Sequence, residues 1–294
     1  MDNNTINVLV STDEKQLKRL VAMLFSLKKH NGHISVYFMN QNIYHRKMEK
    51  FIKKIKKKVK CDITEIKIND DYFSQAPIPK PFTIEMYFRL VAQFYLPEDL
   101  ERIIWIDMDV ICLKSIRENY FQDFEDKSLI ACRDISCDLE NWIYHCRDLG
   151  LSDSHTYFNS GIMILNLSKL RQNSSVDKIM KTCSNLRDFL IYPDQDIMNV
   201  LYENDVKYES KFFNYQFFWK YPINDDNLKQ ICLLHYMGKD KPWMIKYMNQ
   251  TSKYYWGVEK ELGNYFKIAY TMTAYTFLRA VRKLKRIIGI KGVK

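Results

Sequence analysis

Asp107 and Asp109 stand one residue apart at the end of the apolar run Ile103-Ile104-Trp105-Ile106. A short apolar run bounded by polar residues reads as a buried strand, and a carboxylate at the end of one is costly unless something compensates it. In open α/β sheets, ligands gather at the carboxyl ends of the strands. Hard oxygen ligands on a rigid strand end suit Mg²⁺ or Mn²⁺, and through the ion a phosphate-bearing substrate. Alone, an Asp-x-Asp pair is as readily a strand-end turn or a helix cap, but four other segments give this one company. Tyr157–Asn166 places an amide, Asn159, and a glycine directly before an apolar strand. Tyr192-Pro193-Asp194-Gln195-Asp196 opens what looks like the start of a helix. Leu233–Trp243 offers His235, Gly238 and Lys241 in a tight loop after an apolar strand, and Arg89 falls on a helix before the acidic strand.

The elements that must position these groups alternate. Residues 5–10 read as a buried strand, followed by the polar turn Ser11-Thr12-Asp13. Residues 15–30 carry apolar positions at a helical period, and 34–39 form a second strand. In 47–60, Met48, Phe51, Ile52, Ile55 and Val59 share one helical face, with lysines on the other, which reads as a solvated surface. Residues 63–68 give a third strand, and 84–94 a helix leading through Pro97 into the acidic strand. Strand alternating with helix argues for a parallel sheet of Rossmann-like type. Neither Gly-x-Gly-x-x-Gly nor a Gly-Lys-Ser/Thr loop is present, so phosphate recognition must come from metal and cationic side chains.

With 294 residues, 47% of them hydrophobic and 14% aromatic, the chain can bury a substantial core, and its scarce Gly (8) and Pro (7) exclude linker-like stretches and collagen-type repeats. The seven cysteines are an odd number without a Cys-x-x-Cys pair, which argues against a disulfide framework or zinc cage and for reduced thiols in a cytosol. No secretory leader and no spanning segment are expected. The net charge of +10 is concentrated: residues 267–294 carry eight cations and no acid, and Arg46 to Lys60 carry nine cations and one acid. Charge alone would allow nucleic-acid binding, but no recognised module accompanies it, and no nucleic-acid partner is expected.

The segments IIWIDMDVI, YFNSGIMILNL, YPDQDIMN and HYMGKDKPW, in that order, resemble the retaining, nucleotide-sugar-dependent glycosyltransferases of family 8 over residues 5 to about 245. The resemblance implies an α/β fold of GT-A type with a mixed central sheet and a C-terminal helical extension. It implies that Asp107, Asp109 and His235 hold a divalent cation, Mn²⁺ or else Mg²⁺, bridging the phosphates of a UDP-sugar. The imidazole tilts the choice toward a transition metal. By the same resemblance Gly238 and Lys241 belong to a diphosphate-binding loop, while Lys239 is a solvated charge. Arg89 reaches the donor and a nearby carboxylate. Ser11, Thr12 and Asp13 form the uracil-contacting turn, although Lys15 and Gln16 stand where close relatives carry an aromatic. Asp134, Asn159, Asp194 and Gln195 surround the donor sugar, with Gln195 on its reacting face. As bare sequence, Asp134 and Asp194 are equally helix caps.

From Tyr270 to Ile288, apolar residues line one side of a helix and Arg279, Arg282, Lys283 and Arg286 the other, the pattern of an interfacial helix on an anionic lipid surface. A terminal helix docked on the domain is the alternative. The expectation is therefore a catalytic domain over 1–266 and a basic membrane-associating segment over 267–294, cytoplasmic and peripheral on the inner face of the cell membrane. Its activity would be Mn²⁺-dependent transfer of galactose or glucose from a UDP-sugar, with retention, to a saccharide, glycolipid or glycoprotein acceptor of a cell-surface glycan. The rivals are a non-catalytic UDP-sugar or polyanion-binding protein and a self-glycosylating initiator like glycogenin, for which no tyrosine is identifiable as acceptor.

Overall fold

A computed structural model of the protein describes residues 4–80, 82–217, 223–245 and 251–287. Ile6–Ser11 (β1), Ile34–Asn40 (β2) and Asp62–Lys67 (β3) are parallel neighbours, with the helices Leu17–Asn31 and His45–Lys58 crossing between them. Arg102–Ile106 (β4) lies parallel to β1 on its other side. Strand order therefore reverses between β1 and β4, and ligands bind at such switch points. Val110–Cys112 (β5) leaves the sheet, while Leu129–Arg133 (β6), Phe158–Asn166 (β7) and Val206–Tyr208 (β8) complete it in the order β3-β2-β1-β4-β7-β6-β8. Because β7 runs antiparallel to both β4 and β6, the sheet is mixed, as the family resemblance implies, and not the parallel sheet that strand–helix alternation alone suggests. Asn214–Phe217 (β9) and Leu233–Tyr236 (β10) join β5 in a small second sheet of order β5-β10-β9.

The near-continuous apolar strands are buried on both faces, and their period of two divides the core. Val8, Val10, Ile104, Ile106, Ile162 and Ile164 pack on one side of the sheet, while Leu9, Ile103, Trp105, Met163 and Leu165 pack on the other. The helix Leu17–Asn31 closes the first side with Leu17, Leu20, Val21, Leu24 and Leu27, and ends at Gly32, whose φ of 73° suits a residue without Cβ.

Three local expectations differ from the structure. Residues 84–94 do not form one helix but a tight turn Ile84–Tyr87, one α-turn Phe88–Val91 and another tight turn Ala92–Phe94. Met86 to Ala92 are all buried, so packing on every side replaces the single face that would favour a regular helix. Asn159 and Gly161 lie inside β7, not before it, because β7 already pairs with β6 at Arg133↔Phe158. His235 is the third residue of β10 rather than part of the following loop, held there by pairing with β5 and β9.

At the C-terminus the helix Ser252–Glu261 packs on the first core cluster through Tyr255, Trp256 and Val258. The last helix, Tyr265–Ile287, begins ahead of the boundary expected at residue 267. Ile288, Lys291 and Lys294 lie outside the described residues, as do the side chains of Arg282, Lys285 and Arg286. Among the described residues no helix is long and apolar enough to cross a membrane, and all seven cysteines are free thiols.

Candidate active site

The strand pairings bring the acidic pair and the distant imidazole together. Gly161 accepts from the Asp107 N–H at 2.8 Å, fixing β7 against the end of β4. The chain then turns through Asp109 into β5, which pairs antiparallel with β10 so that His235 lies opposite Val110. One ligand atom from each of Asp107, Asp109 and His235 falls within 4.8 Å of the others. His235 Nε2 is 3.4 Å from Asp109 Oδ1, an oxygen that is buried without a hydrogen-bond partner. A Cβ at Gly161 would lie 2.4 Å from His235 Cε1 and 2.8 Å from Asp107 Oδ2, so only glycine leaves the group its room. Two carboxylates and an imidazole with an unsatisfied oxygen between them are a donor set that fits a divalent cation.

Cations balance these acids. Arg89, buried, sits 2.9 Å from Asp107 Oδ1 and 3.2 Å from Asp194 Oδ2, and its guanidinium lies 4.2 Å from the centre of the Trp105 ring. The Trp105 indole donates to the same Asp107 oxygen at 2.8 Å. Lys241 pairs with Asp109 and donates to the Tyr236 carbonyl at 2.9 Å. Burial alone would raise the Asp109 carboxyl, yet the Lys241 ammonium and His235 hold it well below the usual carboxylate range. For Asp194 burial wins over the pull of Arg89, and its carboxyl is pushed up to about 6.

On the other side of Gly161 lies an amide network. Gln195 Oε1 accepts from the Ser160 N–H at 2.9 Å and from Asn159 Nδ2 at 3.1 Å, while Gln195 Nε2 donates to Asp134 Oδ2 at 3.1 Å. Asp134 stands behind Gln195, buried and outside the cleft wall. Its Oδ2 also accepts from Asn159 Nδ2 at 2.8 Å, and its Oδ1 caps the turn Ile135–Asp138 through the Ser136 N–H at 2.7 Å. Its cap and network roles thus coexist. Asp194 and Gln195 open the helix Pro193–Leu201, with Pro193 in its first turn, where a missing N–H costs nothing.

All these groups but Asp134 meet at one cleft of about 470 Å³, which Ser11, Thr12, Asp13, Gln16, Gly238 and Lys239 also line. Asp13 Oδ1 accepts from the Gln16 N–H at 2.9 Å, capping the approach to the first helix. Gln16 borders the cleft, and its amide oxygen is held by Arg19, whose guanidinium lies 4.8 Å from the Trp243 ring centre. Gly238 has φ 71°, a conformation that disfavours a side chain. Lys239 is exposed, as a solvated charge should be, but it stands at the rim of the cleft.

Three participants escaped the sequence, and a fourth, Gly161, was singled out there only as a glycine beside the strand. Asn214 Oδ1 is 3.1 Å from His235 Nδ1. Ser160 donates to both Gln195 and Asp194. Trp105 holds Asp107, and Gly161 makes room for the donor set.

The sequence model of glycosyl transferase family 8 matches residues 7–246. The chain belongs to glycosyl transferase family 8. This family 8 member is 26% identical over 255 residues to a putative glycosyltransferase of Haemophilus influenzae, covering 83% of this chain and 74% of that one. It is also 26% identical over 259 residues to the lipopolysaccharide 1,2-glucosyltransferase of Escherichia coli K12, covering 85% and 76%. Its fold resembles that of the galactosyltransferase LgtC in complex with donor and acceptor sugar analogs, with TM-score 0.74, 21% identity and coverage of 88% and 96%. The glycosyltransferase GlyE of Streptococcus pneumoniae follows with TM-score 0.65, 18% identity and coverage of 91% and 64%. The fold is the GT-A glycosyltransferase fold.

Proposed function

We propose that this glycosyltransferase moves a hexose, galactose or glucose, from a UDP-sugar to a saccharide acceptor of a cell-surface glycan or glycoconjugate, with retention at the anomeric carbon. The observation that carries the reading is the convergence of Asp107, Asp109 and His235 in one cleft with Gln195, Asp194 and Asn159. The hexose and the surface glycan are supported by relatives described as lipopolysaccharide glucosyl- and galactosyltransferases.

Asp107, Asp109 and His235 would hold Mn²⁺ in preference to Mg²⁺, and the ion, when bound, would stabilise the diphosphate leaving group electrophilically. Lys241 supplies a point charge to the same phosphates, and Gly238 lets the backbone approach them. Asp13 accepts from the uracil N3–H, so that a base lacking that donor leaves a polar group unpaired. Arg89 orients Asp107 and Asp194 at once, which fixes one metal-holding carboxylate and one carboxylate for the sugar hydroxyls.

Retention by double displacement needs a carboxylate close to the anomeric carbon. Here the residue on the reacting face is Gln195, an amide and a poor nucleophile. Asp194 is engaged by Arg89 and Ser160, and Asp134 stands behind the amide. Front-side displacement fits these constraints. The acceptor oxygen bonds to the anomeric carbon on the face from which the diphosphate leaves, and its proton passes to that diphosphate oxygen. Gln195, pinned at both ends, presents its carbonyl dipole to the oxocarbenium-like sugar without reorganising.

The exposed last helix would hold the enzyme on an anionic membrane surface. Phe266 is 95% exposed, Tyr270 72%, Phe277 68% and Leu284 58%, so these rings and side chains are not docked on the domain. Incubating UDP-galactose and UDP-glucose with saccharide acceptors and Mn²⁺, and reading the product's anomeric configuration by NMR, tests the proposal. An α-linked product supports it. An inverted product rejects retention, and binding of UDP without its release from any UDP-hexose favours a non-catalytic protein.

A further inference from the structure

The lysine face of the helix His45–Lys58 turns its back on the core, into which Met48, Phe51 and Ile55 are buried. At 3.6 residues per turn, Arg46, Lys50, Lys53, Lys54 and Lys57 share that outer face; the helix's one acid, Glu49, lies at its edge and is taken up by His45 at 3.6 Å. A helix that only needs solubility mixes both signs of charge.

This face does not stand alone. Lys58 Nζ donates to the Leu262 carbonyl at 3.0 Å, just before the last helix begins, and lies 3.9 Å from where a Cβ of Gly263 would be. Lys54 feels Lys18 from the first helix, Lys58 from its own and Lys267 from the last, with the carboxylate of Glu259 among them. Glu259 is buried and already saturated: it pairs with Lys267, accepts from the Tyr255 hydroxyl and accepts from Asn264 Nδ2 at 2.6 Å. It therefore clamps the first turn of the last helix to the domain beside Lys54 and Lys58, and its charge is spent there. Glu261 is likewise taken up, by Lys29 at 2.8 Å. Beyond Thr271 none of the described side chains of the last helix is buried, and Phe277, Arg279, Lys283 and Leu284 are exposed.

We propose that the outer face of helix His45–Lys58 and the last helix form one basic platform that docks on an anionic lipid bilayer, the last helix inserting its apolar residues and the lysine helix adding headgroup attraction. The inference rests on the reading of the tail as membrane-binding and extends the contact to the catalytic domain, which orients the domain on the surface instead of leaving it tethered by its end. A second copy of this chain is a poorer occupant, because residues 267–294 carry no acid and two such helices repel. Lipid headgroups attract each basic residue near the surface, and the attraction decays within a Debye length.

The test uses the full chain and sedimentation with phosphatidylcholine vesicles, with and without phosphatidylserine. The triple variant Lys50→Gln, Lys53→Gln, Lys57→Gln should lose on the order of 10²-fold in partitioning onto phosphatidylserine vesicles. Its binding should also become less salt-dependent, while release of UDP from the donor stays as in wild type. The pair Phe277→Ser, Leu284→Ser should also lose binding, through insertion. If the triple variant binds as wild type while the Phe277/Leu284 pair does not, the platform is overturned and the tail reading stands. If wild type ignores phosphatidylserine vesicles, or forms a dimer that hides the tail from them, both are overturned.

Discussion

Asn214 Oδ1 lies 3.1 Å from Nδ1 of His235, and the tautomer of that histidine is settled two residues away. Asp134 accepts only, so Asn159 must aim its Nδ2 at it and its Oδ1 the other way, toward Asn214 Nδ2 at 2.9 Å. Asn214 is then left with its oxygen toward His235, whose Nδ1 carries the proton and whose Nε2 keeps its lone pair for the site. A buried carboxylate behind Gln195 thus orients the imidazole that faces Asp109. Asn214→Leu should weaken Mn²⁺ binding by roughly 10–100-fold with the fold intact, whereas Asn214→Asp should retain most of it. Titration calorimetry with Mn²⁺ alongside circular dichroism checks this. An unaltered affinity in the Leu variant would remove Asn214 from the account.

Gly161→Ala drives a methyl against two of the three side chains of the proposed metal site, at 2.4 Å from His235 Cε1 and 2.8 Å from Asp107 Oδ2. Overpacking of this kind costs about 1–3 kcal/mol of stability. Mn²⁺ affinity should fall by considerably more than that cost alone would suggest, since the displaced atoms are the ligands. Urea midpoints and metal titration on the same sample separate the two effects.

Arg89→Met leaves Asp107 and Asp194 facing each other without the cation between them. Breaking a buried ion pair from one side costs about 3–5 kcal/mol. Arg89→Lys should fare little better, because one ammonium cannot reach both carboxylates while lying on Trp105. Denaturant unfolding of the metal-free proteins reads the difference, and a Lys variant as stable as wild type would count against the bridging geometry.

Asp194 gives a pH signature. Its folded carboxyl sits at about 6, above the ordinary value of 3.8, so the stabilisation it allows is complete below about pH 4 and is lost as pH rises through 6. That gap is worth about 3 kcal/mol. Wild type minus Asp194→Asn stability, measured by urea denaturation of metal-free protein, should therefore fall by up to this amount between pH 4 and pH 7. A difference that stays level with pH would contradict the buried, partly protonated carboxyl.

Much of the site was legible because its donors sit at ends of apolar runs, where period and polarity change together. Asp107, Asp109, Asp194 and Gln195 all show that signature. His235 was legible as a candidate ligand but not as a strand residue, since a four-residue strand offers too little alternation to be told from a loop. Asn214 and Ser160 were invisible: Asn214 meets His235 through the pairing of two strands, Ser160 meets Asp194 and Gln195 across to a helix far away in sequence, and an Asn or Ser near a strand end is ordinary. The break in residues 84–94 was hidden for another reason. Burial on every side erases the periodicity from which a helix is read.

The most direct test of the central claim is Mn²⁺-dependent release of UDP from UDP-hexoses by wild type, Asp109→Asn and His235→Ala. The account predicts release by wild type only when a divalent ion is supplied, loss of that release in both variants, and recovery in neither at saturating donor. Release that ignores chelation, or that survives in His235→Ala, would contradict it.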